Sequence, residues 1–251
     1  MKEILKQNKF ITWLYHNVFA RGKVGRFNEE NRENWIKEQL QKLSPGLTIL
    51  DAGAGELKYK NYCSHLNYVS QDFAQYDGSG DGSGLQTGSW DQSNIDIVSD
   101  ITSIPLENES IDVILCVEVL EHVPEPVLVI KEFTRLLKKG GNLILTAPFN
   151  SLTHFAPYHF STGFNKYFYE KHLIDNGFGI IEIERNGNYF EYMAQELRRL
   201  PEVAKKYSNK SLIFSRLFIK FLLFILGRLS RKNNGSEELL CYGYHILAKK
   251  I

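Results

Sequence analysis

The most constraining feature of this chain is a repeated one: five short apolar runs, the first four leading into an acidic residue. In residues 48–56, Thr-Ile-Leu-Asp-Ala-Gly-Ala-Gly-Glu, apolar Ile49 and Leu50 lead to Asp51 and then to a turn containing Gly53 and Gly55. Residues 66–70 form a second run and end at Gln71-Asp72, seventeen positions after Gly55. Residues 95–98 form a third, followed by Ser99-Asp100-Ile101, and residues 111–117 a fourth, followed at once by Glu118. A fifth, residues 143–145, ends at Thr146-Ala147-Pro148. Apolar runs of this length read as buried strands. Strands that turn their polar ends to one edge, separated by helix-length segments, describe an open doubly wound sheet with its ligand across the carboxyl ends.

The first turn narrows the ligand. Gly53 and Gly55 allow main-chain amides to approach it closely. A dinucleotide fingerprint has a third glycine three residues beyond its second, where Lys58 stands here. Asp51 would also repel a pyrophosphate, whereas it suits an ammonium or sulfonium group. S-adenosylmethionine carries both. Asp72 is placed to accept from ribose hydroxyls, a charge-assisted bond, and Ser99-Asp100-Ile101 offers an acceptor for an adenine amino group beside an aliphatic surface.

With these motifs in order, residues 47–178 resemble the class I S-adenosylmethionine-dependent methyltransferases, especially those with a Glu-Val-Leu-Glu-His segment, here residues 118–122. The resemblance implies a Rossmann-like, seven-stranded, mostly parallel α/β sheet with N-terminal helices and a helical insertion before the last strand. It implies a methionine-contacting turn at Asp51, Ala52, Gly53, Ala54 and Gly55, a ribose site at Asp72 and Phe73, an adenine site at Asp100 and Ile101, and an active-site edge at Val117 and Glu118. The chain departs from the family at Leu57, where a further glycine is common, and over residues 75–93, where a helix is usual. That stretch holds Gly78, Gly80, Gly82, Gly84 and Gly88, too much backbone freedom for a helix. It reads as a long loop: either a flap that stacks Tyr76 or Trp90 on adenine, or a disordered insertion.

Methyl transfer needs an acceptor lone pair, the methyl carbon and the sulfur nearly in line. An oxygen acceptor must also lose a proton, for which a base of near-neutral pKa is suited. His122 follows the fourth strand and is the first candidate, against a merely capping role. His154 and His159, with Tyr158, follow the fifth strand in an aromatic segment that resembles the acceptor loop of methyltransferases of glycan and surface-polymer pathways. No compact ligand set accompanies these histidines in sequence, so no metal is expected.

At 251 residues the chain suits one decorated domain. Residues 1–44 read as cap helices, 45–189 as the cofactor-binding core, 190–238 as an apolar and basic helical insertion, and 239–251 as the final strand. A net charge of +1 leaves no footprint for nucleic acid. Three cysteines and the absence of a leading apolar segment favour a reducing, cytoplasmic setting. The tract at 212–229 is too short to span a bilayer and reads as an anionic-membrane contact, a packed core helix or a homo-oligomer interface. The expected activity is methylation, preferentially on oxygen, of a small molecule or glycan intermediate. The alternative is a noncatalytic, membrane-peripheral partner of another enzyme.

Overall fold

The computed structural model describes residues 23–209 and 216–251; the aromatics Phe10, Trp13, Tyr15 and Phe19 and residues 212–215 of the apolar tract lie outside them. The chain divides into two compact units. One holds Asn31–Asn186 with Gly243–Ile251, the other Gly187–Tyr242 with the described part of residues 1–30.

The larger unit is built on a seven-stranded sheet. In chain order its elements are most of α1 (Asn28–Gln41), β1 (Thr48–Ala52), β2 (Asn67–Asp72), β3 (Ile97–Val98), β4 (Ile111–Val117), α2 (Pro126–Leu136), β5 (Leu137–Pro148), α3 (Lys166–Asp175), β6 (Phe178–Asn186) and β7 (Gly243–Lys250). The strands lie in the order β3-β2-β1-β4-β5-β7-β6. The pairs β3/β2, β2/β1, β1/β4 and β4/β5 are parallel, and β7 runs antiparallel to β5 and β6. The topology reverses at β1, so the carboxyl ends of β1 and β4 flank the crevice where such sheets bind ligands.

The interior follows from residue type. Ile49, Leu50, Val113, Ile114 and Leu115 are fully buried, as continuous apolar strands covered on both faces must be. Trp35, Ile36 and Leu40 of α1 pack with Ile49, Val113, Leu115 and Ile144 on one face. Val129, Ile130, Phe133 and Leu136 recur at helical spacing on α2 and are wholly buried.

Several sequence expectations are corrected. The connection β1–β2 is not a helix-length element but holds only a 3₁₀ turn, Lys60–Cys63, and the connection β3–β4 is a loop, whereas residues 75–93 form the long loop expected of them. Lys138-Lys139-Gly140-Gly141 has the composition expected of a helix end, yet it lies inside β5. The backbone turns extended at Leu137, which pairs with Ile111 ahead of a register shift, and Lys138 Nζ meets Asp112 at 2.7 Å. The last strand begins at Gly243 rather than at residue 239.

The smaller unit contains α4 (Tyr189–Ser208) and α5 (Arg216–Ser230). Asn188 caps α4, its side chain accepting from the amides of Phe190 and Glu191. Val24, Ala194, Ile219 and Leu223 make a small apolar cluster. Glu191 ties the unit together by accepting from Gly25 N at 2.6 Å, Ser230 Oγ at 3.0 Å and Tyr242 Oη at 3.2 Å. No helix among the described residues is long and apolar enough to cross a membrane.

Candidate active site

A cavity of about 1170 Å³ lies in the sheet unit and is lined by residues from the carboxyl ends of β1, β2 and β4 and from the loops after β3 and β5. It receives Asp51, Gly53, Ala54, Gly55, Asp72, Phe73, Asp100, Ile101, Val117 and Glu118, together with His122, His154 and Tyr158. Ala52 is fully buried in the sheet, and Ala52 and His159 do not line the cavity.

The turn after β1 is shaped by close approach. Gly53 has φ +78°, and a Cβ there would lie 2.4 Å from Val119 Cγ2; at Gly55, with φ +51°, it would lie 2.7 Å from Trp90 Cζ2. Any side chain at either position would be strained as well as blocked. The turn does not present free amides, however. Gly53 N and Ala54 N donate to Gln71 O at 2.8 and 2.9 Å, and Gly55 N donates to Asp72 Oδ2 at 2.9 Å. With these donors consumed, the rim lacks the cradle a pyrophosphate requires and is instead rich in acceptors and negative charge.

Asp51, 2% exposed, accepts from the Tyr68 hydroxyl at 2.6 Å. Burial outweighs that bond, and with a smaller push from Asp72 it raises the Asp51 carboxyl to about 7. A cation beside it would return it to the ionised form. Asp72 also accepts on Oδ1 from Ala74 N at 3.0 Å and Gln92 Nε2 at 2.8 Å, so its carboxylate is rigidly held. Asp100 Oδ1 accepts from Thr102 N and Oγ1, each at 2.8 Å, next to the buried side chain of Ile101. Glu118 has φ +54°, donates its amide to Thr146 O, accepts from Thr146 Oγ1 at 3.0 Å and pairs with Arg32 Nη1 at 2.9 Å.

The opposite wall comes from the segment 151–160. Its end is pinned where Phe160 N and Ser161 N donate to Glu121 O at 2.9 and 3.1 Å. The glycine-rich loop clasps it: Leu85 N donates to Thr153 O and Phe155 N to Leu85 O. Gly84 permits this contact, since a Cβ there would sit 2.4 Å from Thr153 O. The loop is therefore a packed strap rather than a disordered insertion. Tyr76 is buried among Phe155, at 4.4 Å between ring centroids, and Trp90, at 6.0 Å, while its hydroxyl donates to Gln86 Oε1. Its ring is thus an internal support for the wall.

His122 donates from Nδ1 to Tyr158 O, and burial, reinforced by His154, lowers its pKa to about 3. That is far below the near-neutral value a general base wants. His159 is lowered chiefly by burial, and its Nε2 lies 3.1 Å from Ser151 Oγ. Sequence reasoning assigned no role to Arg32, Gln92, Phe155 or Glu121. Arg32 and Phe155 carry no local motif, whereas Glu121 was visible inside the Glu-Val-Leu-Glu-His segment, three positions from Glu118.

Comparison with known proteins agrees with this geometry. The family model described as a methyltransferase domain matches residues 50–145. A ubiquinone biosynthesis O-methyltransferase of Pseudomonas paraeruginosa (strain DSM 24068 / PA7) is 31% identical over 126 residues, covering 46% of this chain and 49% of the relative. One of Xanthomonas oryzae pv. oryzae (strain PXO99A) is 51% identical over 37 residues, covering 15% of this chain and 16% of the relative. The match to this chain thus spans from about a sixth to half the length of these curated relatives. Among solved structures, the cyclopropane synthase MmaA2 from Mycobacterium tuberculosis superposes with a TM-score of 0.52 at 16% identity, over 90% of this chain and 89% of that one, a likeness of fold. Residues 50–145 thus match a methyltransferase domain, and the doubly wound sheet and the switch-point cavity agree with that match.

Proposed function

We propose that this protein transfers a methyl group from S-adenosylmethionine to a hydroxyl oxygen of a small molecule. The observation that carries this reading is the rim itself. Its turn amides are already bonded, and buried Asp51 faces the cavity with Asp72 and Asp100 beyond it. Such a rim favours a cationic amino acid at one end and a nucleoside along the rest. In this reading Asp51 with the turn from Gly53 to Gly55 holds the methionine end, Asp72 the ribose, Asp100 and Ile101 the adenine, and Glu118 borders the transferred methyl.

In the transfer, the acceptor oxygen forms a bond to the methyl carbon as the carbon–sulfur bond breaks, so the sulfonium becomes a neutral thioether and the hydroxyl proton leaves. Alignment can supply much of the acceleration. The aromatic wall of Phe73, Phe155 and Tyr158 suits a flat or apolar acceptor. The preference for oxygen draws support from the relatives' names; a glycan acceptor has no comparable support. Calorimetry with S-adenosylmethionine and its demethylated product tests the first half of the reading, and folded protein that binds neither would reject it. Transfer of labelled methyl groups into phenolic and alcoholic acceptor panels tests the second.

For the helical unit we infer contact with an anionic membrane surface. On α5, Leu217, Phe218 and Phe221 are more than half exposed on the same helix as Arg216, Lys220 and Arg228. Flotation with anionic liposomes should carry the wild type and lose the Arg216→Ala/Lys220→Ala variant. Indifference to lipid, with self-association in sizing, would assign the face to a homo-oligomer instead.

A further inference from the structure

The carboxylate assigned to the ribose is short of accepting capacity. A ribose diol donates two hydrogens, and an ionised carboxylate offers about four lone-pair directions. Three of those on Asp72 are taken within the protein: Oδ2 accepts from Gly55 N at 2.9 Å, and Oδ1 from Ala74 N at 3.0 Å and Gln92 Nε2 at 2.8 Å. One direction is left for two hydroxyls. A hydroxyl brought out of water to this buried rim without an acceptor would bear its desolvation cost uncompensated.

The missing acceptor sits on the residue that closes Oδ1. A carboxylate only accepts, so the end of the Gln92 amide facing Asp72 is its NH₂ group, and the carbonyl Oε1 is the end left over. Among the described residues Oε1 has no hydrogen-bond partner, and Gln92 lines the cavity together with Asp72. The side chain is held before any ligand arrives. Trp90 lies against the cofactor turn, its Cζ2 only 2.7 Å from where a Cβ on Gly55 would stand. The same indole meets Phe155 at 5.1 Å and Tyr76 at 6.0 Å between ring centroids. Asp91 N donates to Glu56 Oε1 at 3.2 Å, and Ile95 N to Gln92 O at 3.4 Å. With its main chain fastened on both flanks and its amide fixed by Asp72, Gln92 loses little freedom when Oε1 takes a ligand.

We propose that Gln92 Oε1 is the second acceptor of the ribose site: Asp72 Oδ2 takes one hydroxyl of the diol, and the glycine-rich strap, not the sheet, takes the other. The assignment rests on the cofactor reading above. It makes the strap a specificity element for the ribose diol as well as a support for the acceptor wall. Inspection of the sequence misses Gln92 because it reaches Asp72 across 20 positions of irregular chain.

Calorimetry on the purified full-length protein, with S-adenosylhomocysteine and its 2′-deoxy and 3′-deoxy analogues, tests the assignment. In the wild type both deletions should weaken binding: about tenfold or more for the hydroxyl accepted by the Asp72 carboxylate, and about three- to tenfold for the one accepted by the Gln92 amide. Gln92→Met keeps the length of the side chain and the cover over Asp72 Oδ1 but removes both polar ends. In that variant the smaller penalty should vanish and the larger one persist. A residue that merely steadied Asp72 would change both penalties together or neither, and either result overturns the proposal. So does a wild type indifferent to one of the two hydroxyls, a comparison that with Gln92→Ala keeps the test decisive if Gln92→Met does not fold. Folded wild type that does not bind S-adenosylhomocysteine overturns the cofactor reading and this assignment with it. Normal binding, with both penalties intact in Gln92→Met, overturns this assignment alone.

Discussion

The two ends of the cavity are made differently. At the end bordered by Asp51, Asp72 and Asp100, polar groups sit where strands stop, and their positions follow from sheet register: Asp51 pairs with Ser70, and Asp72 with Val98. At the end bordered by His122, His154 and Phe155, the groups ride on loops placed by contacts distant in sequence, such as Leu85 with Thr153 and Phe160 with Glu121. The first end is built on the sheet scaffold, and in the proposed function it holds the common element of the reaction. The second is built of replaceable loops, where differences in acceptor chemistry can be accommodated without disturbing the sheet.

The largest effect should come from filling the turn. Gly53→Val meets both a positive φ and Val119, so cofactor binding should fall by more than about a hundredfold, the strain alone being of order 1–3 kcal/mol. Calorimetry measures the binding, and a thermal melt checks how much of the loss is stability. Next, Asp72→Ala removes both a proposed ribose acceptor and the partner of Gly55 N, costing about 1.5–3 kcal/mol of cofactor affinity. Unchanged affinity would remove Asp72 from the site and blur the contrast between the two ends.

A pH series sharpens the contrast further. The folded pKa of Asp51 is raised, to about 7, so its ionisation opposes the native state. The stability this group contributes is complete below the ordinary carboxylate pKa and is lost as pH rises through 7. A cation bound beside it has the opposite preference. Cofactor affinity should therefore weaken as pH falls from 7.5 to 5.5, by at most about tenfold per unit, with a proton released on binding. Calorimetry in buffers of different ionisation enthalpy reads that proton, and Asp51→Asn should abolish both effects. The smallest change is expected from His159→Ala, whose ring lies outside the cavity against Ser151. Turnover should stay within about twofold, as for surface changes that remove no key contact. A large loss would place His159 in the acceptor end after all.

The strand-turn logic of residues 48–56 and the carboxylates after the first four apolar runs were legible before any coordinates, because they arise from local pattern. Buried parallel strands need continuous apolar residues, and their tips face one edge. Element boundaries were less legible. Lys138-Lys139-Gly140-Gly141 has the composition of a helix end, yet pairing between Ile111 and Leu137 draws it into β5. The glycine-rich loop carried no sign of its partner, since close approach of Gly84 to Thr153 is a property of two segments together.

Sequence alone thus determined the sheet class, the acidic rim and the nature of the ligand that such a rim can hold. Tertiary structure alone decided that the turn amides are consumed, that His122 is too buried for a neutral-pH base, and that the Glu121 oxygens are buried without a hydrogen-bond partner. The physical reason is range. Strand burial and turn conformation are set by neighbours along the chain, whereas desolvation and the pairing of polar atoms depend on every group that folding brings near.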